Sequence, residues 1–152
     1  MFDFDAIDDA LIVGSAFSTD DVPLLAELGV RAVVNLQEES SDPVEALTAH
    51  DILYAQVACT DFHAPTVVQI DEAVAAVRGF VAAKRRVYLH CRAGLQRSVT
   101  IAACYLVASD VSRWNARSAL DEVCSKRRRA CPLREQIDAL LTYDRYVRAL
   151  RG

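Results

Sequence analysis

Lysine is nearly absent from this chain. Of 17 basic residues only Lys84 and Lys126 are lysines, so arginine carries almost all the positive charge. The formal net charge is −4, which leaves no general basic field for nucleic acid. No apolar run reaches the roughly 18 residues that a membrane span needs. The opening stretch MFDFDAIDDALIVG is acidic and lacks the basic start of a secretory signal. No C-x-x-C pair and no His-rich tract is present, which removes the common zinc patterns. The 5 cysteines are odd in number and irregularly spaced. They fit a reducing cytoplasm better than a disulfide framework. No repeat, low-complexity tract or linker interrupts the 152 residues. With 53% hydrophobic and 25% charged residues, the expectation is one globular domain over residues 1–152, a monomer by default.

What is present alternates between short apolar runs and longer amphipathic ones. ALIVGS, RAVVNL (Arg31–Leu36), ILYAQVA (Ile52–Ala58) and RVYLH read as strands. STDDVPLLAELG reads as a helix, with a capping-box spacing at Ser18 and Asp21 and with Gly29 placed to end it. In SDPVEALTAH, Asp42, Pro43 and Glu45 suit N-cap, N1 and N3 of a short helix. CTDFHAPT (Cys59–Thr66) is a loop, and Thr66 caps the helical repeat that follows. SVTIAACYLVAS is almost wholly apolar and predicts a buried central helix. Two amphipathic helices close the chain, the last with Pro132 at its first turn. The pattern predicts an α/β fold: a central, mostly parallel sheet of about four to five strands flanked by helices. In such sheets ligands bind beyond the carboxyl ends of the strands.

One such end carries unusual chemistry. RVYLHCRAGLQRSVTIAACYL runs from an apolar strand through a cysteine and an arginine into the apolar helix. A bare C-x5-R spacing arises by chance in about half of shuffled sequences of this composition, so its context decides. Read as strand, loop and helix, residues Arg92, Ala93, Gly94, Leu95, Gln96 and Arg97 form a nest of backbone N–H groups for an anion. The helix N-terminus adds partial positive charge. Gly94 permits a backbone conformation that a Cβ disfavours. Arg97 can grip two phosphate oxygens with its planar fork. The same field favours the thiolate of Cys91, an in-line nucleophile toward a cradled phosphate. Ser98 can donate its hydroxyl to that sulfur. A leaving alkoxide needs a proton, and Asp61, in a loop stiffened by Pro65, is the best-placed acid.

Other residues read more plainly. His90 suits a structural hydrogen-bonding role behind the loop. His50 and His63 read as surface residues, and Cys59, Cys104, Cys124 and Cys131 as packing cysteines. Lys126-Arg127-Arg128-Arg129 reads as a solvated helix end in preference to a basic rim for an anionic substrate. Two alternatives to an esterase of this kind stay open: a non-catalytic phosphate-binding module, and a rhodanese-type sulfurtransferase, which also places a cysteine loop between strand and helix.

The signature H-C-x-x-G-x-x-R-[ST], continued by S-x-T-I-x-x-x-Y-L from Ser98 to Leu106, resembles the dual-specificity branch of the cysteine-dependent protein tyrosine phosphatases. DFHAP resembles the general-acid loop of that family, D-x-x-x-P. LIVGSAFSTDDVPLLAELGVRAVVNL, ALDEVCSKRRRACP and LLTYDRY resemble its opening and closing segments, so the likeness covers nearly the whole chain. The resemblance implies the cysteine-phosphatase fold, Cys91 as nucleophile, Arg97 as phosphate clamp, Asp61 as acid and then base, and Ser98 as thiolate partner. It implies no metal and no other cofactor. Gln96, Val99 and Ala139 depart from common family choices without removing a catalytic group. Arg92 resembles the basic residue that follows the cysteine in lipid-directed relatives. The expected substrate is a phosphorylated protein first, and a phospholipid or inositol phosphate second.

Overall fold

A computed structural model describes residues 2–151. Five strands form one sheet in the order β1-β2-β5-β3-β4. They are β1 (Phe4–Ala6), β2 (Leu11–Gly14), β3 (Val30–Gln37), β4 (Leu53–Cys59) and β5 (Arg86–His90). Only β1 runs antiparallel to its neighbour; β2, β5, β3 and β4 are mutually parallel. The helices are α1 (Val22–Glu27), α2 (Val44–Ala49), α3 (Val67–Ala82), α4 (Arg97–Ser109), α5 (Ala116–Lys126) and α6 (Arg134–Arg151).

Period-two alternation divides the core. Leu11, Val13, Ala32, Val34, Val87 and Leu89 point to one face and pack with α3, α4, α5 and α6. Ile12, Val33 and Tyr88 point to the other face, against Val22 and Leu25 of α1 and Leu47 of α2. Burying each Val or Leu contributes about 1.5–3 kcal/mol, so a one-residue slip of β5 would be prohibitive. α4 is buried from Arg97 to Ala108, as its apolar run predicts. No helix among the described residues is long and apolar enough to cross a membrane.

Several local expectations need correction. Phe4–Ala6 forms a strand that its short acidic sequence does not announce. The helix expected from Ser18 is split into a 3-10 turn at Thr19–Asp21 and α1, with Pro23 in the first turn of α1. The Ser18–Asp21 capping box is nevertheless formed, and Gly29 ends the segment at φ +82°. α2 begins at Val44 with Pro43 as its N-cap, because the Asp42 carboxylate is engaged by His90. α6 begins at Arg134, past Pro132. Thr66 and Gln69 form the expected reciprocal cap of α3.

Candidate active site

The carboxyl ends of the four parallel strands converge on one edge. β5 ends at His90 and delivers Cys91; β4 ends at Cys59, just before Asp61; β3 ends at Gln37, just before Glu39; β2 ends at Gly14. Asp61, Phe62, Cys91, Arg92, Ala93, Leu95, Gln96, Arg97 and Cys131 line a cleft of about 220 Å³ there.

Residues 91–96 form the loop, and each of its carbonyls is held from outside. Cys91 O faces Nδ1 of His90 at 3.0 Å. Arg92 O accepts from Ala16 N, Leu95 O from Cys131 N, and Gln96 O from Thr100 N. Ala93 O and Gly94 O both accept from the Arg127 guanidinium. A loop fixed from behind by its carbonyls in this way is suited to an anion nest. Gly94 sits at φ +72°. A Cβ there would lie 2.4 Å from the backbone carbonyl of Gly14, so the close approach itself demands glycine.

Arg127 overturns its expected placement. It is 1% exposed, not a solvated helix end. Besides its two bonds to the loop it donates to Asp5 at 3.0 Å and Asp3 at 2.9 Å, both on the N-terminal segment. Only Arg128 and Arg129 of that basic run stay exposed among its arginines, and Arg129 pairs with Asp3 at 3.3 Å.

Cys91 is buried, and its Sγ lies 3.3 Å from Ser98 Oγ. Nε2 of His90 meets Oδ2 of Asp42 at 2.6 Å, both side chains buried. Both ring nitrogens of His90 thus serve hydrogen bonds behind the loop.

Arg97 is 2% exposed and is gripped by Glu39, a residue the sequence pattern did not single out. Nη1 and Nη2 donate to Oε1 and Oε2 of Glu39 at 2.9 and 2.8 Å, and Nη1 also donates to Cys59 O at 2.9 Å. The hydrogen bond from Arg97 holds the Glu39 carboxyl far down, at about 2, against the opposing effect of burial. Gln37 steadies Glu39 from the other side at 3.2 Å. These contacts use three of the five guanidinium N–H groups, leaving the Nε–H and one Nη2–H. Those two lie side by side, the geometry that grips two oxygens of one phosphate. Asp61 stands at the same edge, its Oδ1 3.4 Å from Nη2, with its side chain partly exposed.

The remaining expected residues divide. Arg92 and Ala93 are exposed at the rim, Leu95 and Gln96 are half-buried, and Ser98 is fully buried. Cys59 and Cys104 pack as expected, and burial pushes the Cys59 thiol up to about 11. Cys131 does not: it is exposed and lines the cleft. Among the described residues no group of three or more His, Cys, Asp or Glu side chains is arranged to hold a metal ion.

A profile of the family described as "Tc-R-P: Polymorphic toxin system, DSP-PTPase phosphatase" matches residues 10–110. The phosphatidylglycerophosphate phosphatase PTPMT2 of Arabidopsis thaliana is 34% identical over 107 residues, which are 68% of this chain and 47% of that protein. The dual specificity protein phosphatase 1 of Homo sapiens is 26% identical over 140 residues, 91% of this chain and 36% of that protein. The chain thus spans less than half the length of these two relatives. Among solved structures, PTPMT1 in complex with PI(5)P superposes with a TM-score of 0.88 at 20% identity, covering 98% of this chain and 99% of that one. Tk-PTP in its active form superposes with a TM-score of 0.84 at 26% identity, covering 93% and 96%.

Proposed function

Because this chain belongs to the DSP-PTPase phosphatase family, we propose that it hydrolyses phosphomonoesters through a phosphocysteine at Cys91, within one catalytic domain spanning residues 1–152. The observation that carries the reading is the alignment of three parts at one cleft. These are a buried thiol, a loop whose carbonyls are all held outward, and an arginine with two parallel donors still to use.

The chemistry follows from that alignment. The Cys91 thiolate attacks phosphorus in line while the loop amides and Arg97 hold the equatorial oxygens. The bond to the leaving oxygen breaks, and Asp61 delivers the proton that this oxygen needs. Water then attacks the phosphocysteine, Asp61 takes its proton, and sulfur departs with the Ser98 hydroxyl donating to it. Phosphate and free enzyme result. Glu39 keeps the Arg97 fork turned so that its Nε edge faces the cleft.

For the substrate, two observations favour a phosphorylated lipid or polyol headgroup over a phosphoprotein, reversing the order expected from sequence. PTPMT2, at 34% identity, is by name a phosphatidylglycerophosphate phosphatase. Arg92 and Arg129 also line a second cleft with Asp3 and Ala93, which shares Arg92 and Ala93 with the first. Two arginines against one carboxylate leave this rim net positive in a chain of net charge −4. A phosphoprotein is the second reading, supported by the dual specificity phosphatase likeness over 91% of the chain.

The test compares kcat/KM on vesicles carrying phosphatidylglycerophosphate or phosphoinositides with that on phosphotyrosine and phosphothreonine peptides. The lipid rates should exceed the peptide rates by about tenfold, the worth of one charge-assisted hydrogen bond, and Arg92→Ala should lower them most. Faster turnover of the peptides would overturn the substrate order and leave the chemistry standing.

A further inference from the structure

The Asp61 loop is tied down from behind by one buried amide. Gln136, in the first turn of α6, is 0% exposed. Its Oε1 accepts the Leu133 N–H at 2.8 Å, which caps its own helix. Its Nε2 reaches out of the helix and donates to the carbonyl of His63 at 3.3 Å, 73 residues earlier in the chain. Capping needs only an acceptor. The donor of Gln136 is what its own helix does not need.

The other end of that contact leads to the acid. His63 Nδ1 lies 2.7 Å from Asp61 O, and Phe62 N donates to Asp61 Oδ1 at 3.0 Å. The turn is tight enough to put Phe62 at φ +59°, with its ring 65% exposed at the cleft. Asp61 and His63 are thus tied into one turn. On the cleft side it meets Arg97 at 3.4 Å; on the far side His63 meets Gln136. The turn that carries Asp61 is thus held between a buried arginine, at the Asp61 carboxyl, and a buried glutamine, at the His63 carbonyl.

We infer that Gln136 is a positioning residue for the acid step: its amide donor holds the His63 carbonyl and thereby sets the Asp61 carboxyl over the leaving oxygen. This rests on the reading of Asp61 as the acid. Gln136 touches no substrate. A misplaced acid harms only leaving groups that need a proton, so the effect is selective in a way that a loss of fold is not.

The experiment uses Gln136→Glu, which keeps an acceptor for Leu133 N–H and removes the donor. kcat/KM, which reports phosphocysteine formation, is measured for p-nitrophenyl phosphate and for phenyl and alkyl phosphates. The expected result, measured well below the variant's own thermal midpoint, is a loss of about tenfold on the alkyl ester and within twofold on p-nitrophenyl phosphate. In an Asp61→Asn background the same substitution should add nothing, because coupled groups are not additive. Gln136→Leu, which fills the same space without a polar group, should show the same selectivity if Gln136→Glu does not fold. Equal losses on all esters, no loss on any, or a full additional loss on top of Asp61→Asn would overturn the inference. If Asp61→Asn itself shows no leaving-group dependence, the acid assignment fails with it. If Asp61→Asn shows the dependence and the Gln136 variants do not, only the role of Gln136 fails.

Discussion

Glu39 holds Arg97 end-on, oxygen to nitrogen at 2.9 and 2.8 Å, and so decides which edge of the guanidinium faces the cleft. An unpaired arginine could rotate about its stem. Paired in this way it keeps Nε and one Nη2 proton for the proposed phosphate, which is preorganisation rather than affinity for its own sake.

Glu39→Gln keeps the size of the side chain but offers one oxygen instead of two. Its kcat/KM should fall by about tenfold to a hundredfold, the usual result of a small misplacement at a reacting centre. The pH dependence of stability carries a second signature. The Glu39 carboxyl is depressed from 4.5 to about 2, so its stabilising contribution is fully present above 4.5 and is lost as pH falls through about 2. Denaturation series from pH 7 to 3 should show the wild type's advantage over Glu39→Gln shrinking across that acidic window. A gap that stays constant with pH would contradict the ion pair.

Arg127→Met should unseat the loop. The Asp3 and Asp5 carboxylates and the carbonyl of exposed Ala93 can hydrate, so the cost lies chiefly in the buried Gly94 carbonyl left without a donor, about 1–3 kcal/mol. Urea denaturation should show this, and inorganic phosphate should bind more weakly to whatever remains folded. Arg128→Ala, one residue on and exposed, should be within about 0.5 kcal/mol of wild type. Equal behaviour of the two variants would contradict the buried anchor.

Gly94→Ala should be disproportionately harmful for one methyl group. The left-handed backbone costs an alanine about 1–2 kcal/mol, and the Cβ contact at 2.4 Å with Gly14 forces backbone apart. Gly79→Ala is the control: it lies within α3, and a Cβ there meets nothing within 4 Å. It should be neutral or stabilising by up to about 1 kcal/mol. Thermal melts of the two variants compare them directly.

Features written in contiguous residues were legible in the sequence. The strand, loop and helix around Cys91 follow one another without interruption, the apolar run from Val99 to Ala108 has no side to expose, and the Thr66–Gln69 cap is a four-residue pattern. Features made by distant partners were not. Glu39 meets Arg97 across 58 residues, and no local pattern in QEESS distinguishes it from Glu38. Asp42 had the spacing of a helix cap, but a buried imidazole 48 residues away takes its carboxylate. Arg127 belongs to a basic run that reads as solvated, and only its pairing with β1 and the loop shows why one member of the run is buried. The strand β1 escapes a local reading for the same reason, since its one acidic residue, Asp5, makes sense only against that arginine.

The most direct test of the central claim is to quench turnover within milliseconds in acid and map phosphate on the chain by mass spectrometry. With p-nitrophenyl phosphate, whose leaving group needs no proton, wild type should carry one phosphoryl group, on Cys91, in a steady-state amount that rises in Asp61→Asn, which forms the intermediate but hydrolyses it more slowly. Cys91→Ser should carry none and should show no turnover of p-nitrophenyl phosphate. Turnover retained in Cys91→Ser, or phosphate trapped on any other residue, would contradict the account.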